Sequence, residues 1–117
     1  MLTRFFSSFF RKPEVTTATK DLVESAIADN KVVVFSKSYC PYCHSTKKLF
    51  KEEYSNVPTK VYELDLLDEG SVIQLYLQTK TGQRTVPNIF INKQHIGGNS
   101  DVQAAFKNGK LSQLLES

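Results

Sequence analysis

Apolar residues recur at helical spacing in some stretches of the chain and form short β-branched runs in others, and the two patterns alternate. Ala18, Leu22, Val23, Ala26 and Ile27 share one helical face, which predicts a helix from Thr16 to Asn30 with Thr16 or Thr17 as N-cap. Val32 to Phe35 is a continuous apolar run, as expected of a central strand buried on both faces. A short loop, Ser36 to Tyr39, leads into Cys40. Pro41 suits the first position of a basic, amphipathic helix reaching to Tyr54. From Val61 to Leu66, Val61, Glu63 and Asp65 alternate with Tyr62, Leu64 and Leu66, which predicts a second strand. Asp68 or Ser71 opens the next helix, which runs to Lys80 and stops at Thr81-Gly82. Asn88 to Ile91 and Gln94 to Ile96 form a hairpin around Asn92-Lys93, broken by Gly97-Gly98. Ser100 caps a helix to Lys107 with Asp101 in its first turn, and Gly109 separates a last short helix, Leu111 to Leu115. The order αβαβαββαα implies two parallel strands joined by a helical crossover, then an antiparallel hairpin, and so an α/β domain.

The first dozen residues stand apart. Arg4, Arg11 and Lys12 are basic, no acid precedes Glu14, and Phe5, Phe6, Phe9 and Phe10 fall on one helical face. That is the composition of a mitochondrial transit peptide, although the segment is short for one. Residues 1–14 are therefore read as a tail, an alternative start or a targeting segment, and 15–117 as the folded domain. Composition is ordinary for a globular protein, and no apolar run approaches the ~18 residues of a membrane span. A net charge of +3 is too weak to argue for nucleic acid, but it mildly favours anionic ligands.

Cys40 and Cys43 are the only two cysteines. A structural framework uses several cysteines at wide spacing, and so short a loop gains little from closure. A lone CxxC offers two zinc ligands where a structural site takes four. His44 and His95 are the remaining nitrogen donors, but His44 directly follows Cys43 and is poorly placed to share its metal, so no metal site is predicted. The pair therefore reads as redox chemistry. A buried strand would deliver Cys40 to a helix N-terminus, where unpaired N–H groups and the helix dipole favour the nucleophilic thiolate. Cys43, one turn further on, would resolve a mixed disulfide. Lys37 adds positive charge three residues upstream.

At Cys40-Pro41-Tyr42-Cys43 the chain resembles the active site of the dithiol glutaredoxins. The resemblance extends to Thr85-Val86-Pro87-Asn88, similar to that family's TVP segment, and to Gly97-Gly98-Asn99-Ser100-Asp101, similar to its GG-x-[ST]-D segment. Lys37 and Gln74 also fall at matching positions, and the match runs from Thr16 to the C-terminus in the family's order. A thioredoxin would show Trp-Cys-Gly-Pro-Cys, and this chain has no Trp.

The resemblance implies a thioredoxin-like fold, a four-stranded mixed sheet flanked by helices, with a cis Val86-Pro87 bond facing Cys40. It also implies a glutathione-dependent thiol–disulfide oxidoreductase, with glutathione as co-substrate and glutathionylated or disulfide-bonded proteins as partners. Val86 would pair with glutathione's cysteinyl unit beside Thr85 and Pro87, with Tyr42 lining the site. Lys37 and Gln74 would take the glycine carboxylate. The backbone at Gly98, Ser100 and Asp101 would take the γ-glutamyl carboxylate at a helix N-terminus, and the Asp101 side chain its ammonium. A glutathione-ligated [2Fe–2S] carrier is the alternative, against which Pro41 stands where such members carry Gly or Ser. His44, His95 and the Lys47, Lys48 and Lys51 face are read as surface, and Tyr54 and Tyr76 as packing residues with a wet tip. A monomer in a reducing compartment, cytoplasm or mitochondrion, fits this chemistry.

Overall fold

The computed structural model describes residues 14–117. The tail or targeting reading of the N-terminus lies outside the described residues but for Glu14. Thr16 caps α1 (Thr17–Asp29), its hydroxyl accepting the Thr19 N–H at 3.2 Å. The chain continues through β1 (Val32–Ser36), α2 (Pro41–Glu53), β2 (Thr59–Glu63) and a 3-10 turn at Leu64–Leu66. It then forms α3 (Gly70–Thr81), β3 (Asn88–Ile91), β4 (Gln94–Gly97), α4 (Asn99–Lys107) and α5 (Lys110–Glu116). The sheet has four strands in the order β2-β1-β3-β4. β1 runs parallel to β2 and antiparallel to β3, and β3 pairs antiparallel with β4.

β1 and β3 are buried throughout because both faces of the sheet are covered. Val32, Val34, Ile89 and Ile91 point to one face and pack with Leu49 and Phe50 of α2, Val102 of α4 and Leu111 and Leu115 of α5. Val33, Phe35 and Phe90 point to the other and pack with Val23 and Ile27 of α1 and Ile73 and Leu77 of α3. On that face Tyr76 donates to Glu24, which also pairs with Lys80 at 2.9 Å, tying α3 to α1. The Glu24 contact pushes the Tyr76 phenol up to about 12.

Four local expectations change. β2 spans Thr59–Glu63 instead of Val61 to Leu66, since β1 ends at Ser36, the partner of Glu63. Leu64 then turns into the core and Asp65 toward the loop after β1. Neither Asp68 nor Ser71 opens α3. It starts at Gly70, where an added Cβ would lie 1.7 Å from the Leu64 carbonyl oxygen, so only glycine allows this approach. Gly98, not Ser100, is the N-cap of α4. The buried stripe of α1 is Thr19, Val23, Ala26 and Ile27, which leaves Ala18 and Leu22 exposed. Among the described residues, no helix is long and apolar enough to cross a membrane.

Candidate functional site

The loop between β1 and α2 sets the position of the cysteines. The Ser38 N–H donates to Asp65 Oδ1 at 2.8 Å, and the Ser38 hydroxyl donates to Asp65 Oδ2. These two bonds hold the Asp65 carboxyl below its usual value, the hydroxyl contributing most and the nearby Lys37 charge a little. Cys40 follows as the N-cap of α2, with extended backbone, and its sulfur accepts the Cys43 N–H at 3.4 Å. The Cys40 thiol also lies 3.8 Å from the Val86 carbonyl oxygen. Pro41 occupies the first turn, where its missing N–H costs no hydrogen bond.

The two sulfurs occupy different environments. Cys40 is partly exposed and Cys43 is fully buried, and both are free thiols. Burial pushes the Cys43 thiol up, although the Lys37 N–H at 3.5 Å and the Ser36 hydroxyl pull the other way. Cys43 is thus held as a protonated thiol under a reachable Cys40. Positions at a helix N-terminus suit an anion, so a Cys40 thiolate faces favourable dipoles.

Opposite Cys40 runs the loop from Gln83 to Pro87, whose Val86-Pro87 bond is cis. Between this loop and the start of α4 lies an open groove of about 580 Å³. Tyr42, Thr85, Val86 and Pro87 line one side, and Gly98, Ser100 and Asp101 the other. Seven of the residues predicted for the site are therefore on one groove wall or the other, with the Cys40 sulfur against Val86.

Lys37 and Gln74 are not on its walls. Lys37 sits in the loop before Cys40, and its N–H is spent on Cys43. Gln74 donates to the Arg84 carbonyl at 2.8 Å and borders a separate shallow depression with Ser71, Leu75 and Gln78. Two groove residues escaped the sequence reading, Gln83 and Asn99. Gln83 looks like any polar residue after Gly82. Asn99 is the first residue of α4, which begins two residues earlier than a Ser100 cap implies.

The far wall is a helix end. The first α-helical bond of α4 runs from the Val102 N–H to the Gly98 carbonyl at 3.1 Å, so the N–H groups of Asn99, Ser100 and Asp101 precede it. Asp101 reaches back to accept the Gly98 N–H at 2.9 Å. Gly97 holds φ at +121°, and a Cβ there would lie 2.3 Å from Asp101 Oδ2. This end of the groove offers backbone donors and one carboxylate, a pattern that suits a ligand group carrying both charges.

His44 is exposed on α2. His95 is an exposed strand residue, as expected, but its Nε2 also hydrogen-bonds the buried Asn88 Oδ1 at 2.8 Å and its ring packs on Phe90. Partial burial pushes its imidazole down, with Asp101 opposing.

The family profile described as Glutaredoxin matches residues 32–96, which include both cysteines, the cis-proline loop and all but the last residue of the hairpin. The chain is 52% identical over 96 residues to Glutaredoxin-1 of Rhizophagus irregularis, covering 82% of this chain and 93% of that protein. It is 48% identical over 101 residues to Glutaredoxin-2 of Schizosaccharomyces pombe, covering 86% and 90%. Among solved structures, a buckwheat glutaredoxin–glutathione complex superposes with a TM-score of 0.79 at 40% identity, covering 85% of this chain and 88% of that one. With its two free thiols at the head of α2 and its mixed four-stranded sheet, the chain belongs to the glutaredoxins, thioredoxin-fold oxidoreductases that act with glutathione.

Proposed function

We propose that this glutaredoxin reduces protein–glutathione mixed disulfides, and protein disulfides, with Cys40 as nucleophile and Cys43 as resolving thiol. The observation that carries the reading is the pairing of a partly exposed Cys40 at a helix N-terminus with a fully buried Cys43 one turn on, beside an open groove of about 580 Å³. In the first route the Cys40 thiolate attacks the glutathione sulfur of a mixed disulfide and expels the protein thiol. A second glutathione thiolate attacks the glutathione sulfur of Cys40–SG, releasing oxidised glutathione and the Cys40 thiolate. In the second route Cys40 attacks a protein disulfide, and Cys43 displaces the product to leave a Cys40–Cys43 disulfide. Two glutathiones then reduce it. Potentials of the glutaredoxin type lie near the glutathione poise, at roughly −200 to −230 mV, so direction follows the pool.

In the bound state glutathione's cysteinyl unit pairs with the Val86 backbone between Thr85 and Pro87, and Tyr42 packs alongside. Its γ-glutamyl carboxylate takes the N–H groups at the start of α4, around Gly98, Ser100 and Asp101, and its ammonium takes the Asp101 carboxylate. Lys37 supplies charge to the glycine carboxylate. Gln74 contributes through its second amide proton, the first being held by Arg84. The buckwheat glutaredoxin complexed with glutathione supports this ligand for the shared fold. A reducing compartment is the fitting one, and a human relative named as mitochondrial, 46% identical over 101 residues, supports the mitochondrion beside the cytoplasm.

The test is glutathione-coupled reduction of a glutathionylated peptide by wild type, Cys40→Ser and Cys43→Ser. Fast turnover by wild type and Cys43→Ser, with none from Cys40→Ser, fits the proposal. A folded, reduced wild type with no turnover sinks it, and an iron–sulfur chromophore on purification would then favour the cluster-holding alternative.

A further inference from the structure

We infer that Gln83 is a positioning residue for catalysis, its carboxamide bracketing Val86 so that the backbone that pairs with the glutathionyl cysteine is held at the right place relative to Cys40. The inference rests on the groove being the glutathione site. Gln83 Nε2 donates to the Thr85 carbonyl at 3.0 Å and to the Pro87 carbonyl at 2.9 Å. The two acceptors stand on either side of Val86, whose own carbonyl faces the Cys40 thiol. A primary amide has two N–H groups, so both are consumed by this bracket.

The brace is itself anchored. The Gln83 N–H donates to the Thr81 hydroxyl at 3.0 Å, and that hydroxyl donates to the Leu77 carbonyl at 2.7 Å in the last turn of α3. Asn88, fully buried at the start of β3, approaches the same Thr81 oxygen at 3.5 Å through its amide nitrogen. Gln83 is therefore tied to α3 and sheet before it reaches the loop. Its amide nitrogen also comes within 4.0 Å of where a Cβ on Gly98 would sit, so it borders the opposite wall as well. Thr85 belongs to neither helix nor strand, and this bond supplies an orientation that regular structure does not. A misplaced pairing edge holds the glutathionyl cysteine less well, which raises KM and lowers kcat/KM without touching the reacting sulfur.

The experiment compares wild type with Gln83→Met, which keeps length and shape but has no donor, and Gln83→Asn, which keeps the amide but is one methylene too short to bracket Val86. The readouts are KM and kcat for a glutathionylated peptide, the rate of Cys40 alkylation by iodoacetamide, and the thermal midpoint. Both variants should raise KM about tenfold, equivalent to ~1.4 kcal/mol of binding, with kcat within about twofold. Alkylation of Cys40 should be unchanged, because a small electrophile needs no backbone partner. An unaltered KM in both variants, with a glutathione-dependent wild type, overturns the inference alone. A lower thermal midpoint with KM unmoved also overturns it and leaves Gln83 a structural residue. A wild type indifferent to glutathione overturns both this inference and the reading of the groove beneath it.

Discussion

Two helix N-termini face the same groove and do different things with the same physics. Both α2 and α4 present backbone N–H groups that have no partner within the helix. At α2 the cap is a sulfur, Cys40, which accepts from Cys43 N–H at a long 3.4 Å and is open to attack a disulfide. At α4 the cap is a glycine, and the neighbouring carboxylate of Asp101 takes only the Gly98 N–H at 2.9 Å, leaving the next donors for a ligand. In the proposed reaction one end reacts and the other recognises. The difference lies in which atom fills the cap and how tightly it is held.

The largest break in this comparison is Cys40→Ser. Turnover of a glutathionylated peptide should fall to the uncatalysed background, whereas Cys43→Ser keeps that turnover and loses reduction of protein disulfides. Next is Gly97→Ala, which adds a Cβ onto the Asp101 carboxylate in a backbone region that alanine avoids. Denaturant unfolding should show a loss of about 1–3 kcal/mol, and KM for the glutathionylated peptide should rise as the α4 end is disturbed. Asp101→Ala is gentler in stability, about 0.5–2 kcal/mol for a lost cap contact, and should raise KM with the Cys40 alkylation rate intact. Alkylation sharpens the comparison within α2 itself. Under limiting iodoacetamide, peptide mapping should find the label on Cys40 first, because burial keeps Cys43 a protonated thiol. Equal labelling would remove the division of labour.

The smallest effect concerns the loop before Cys40. The Asp65 carboxyl is held below its ordinary 3.8 in the folded protein, so the unfolded chain takes up the proton first. The stabilisation is present above that ordinary value and is lost as pH falls through the lower folded one. The stability gap between wild type and Asp65→Asn should accordingly close on acidification below 3.8, as followed by denaturant midpoints.

Much of this was legible because the residues concerned report a local cause. The Val32–Phe35 run announces a strand covered on both sides, and Pro41 after Cys40 announces a helix start, since each depends on the chain's own chemistry. The end of β2 was not legible, because the alternation through Leu66 is as good as that through Glu63 and only pairing with β1 decides between them. The start of α3 was hidden in the same way. Gly70 matters for what lies against it, a carbonyl six residues back, and not for any signal of its own. Within the site, Cys40 and Asp101 speak through motif and charge. Gln83 acts through two carbonyls of a loop whose path no periodicity predicts.

Thr46, without exposure to solvent, donates its hydroxyl to Asn99 Oδ1 at 2.9 Å, and Gln103 holds the same oxygen at 3.2 Å. The bond joins the second turn of α2 to the first residue of α4, which also lines the groove. It works as the pivot pin of a calliper whose jaws are the Cys40 sulfur and the α4 donors. If the proposed reaction holds, the opening between the jaws is a set gauge, and a disulfide would be accepted according to how far its sulfur stands from its anionic end.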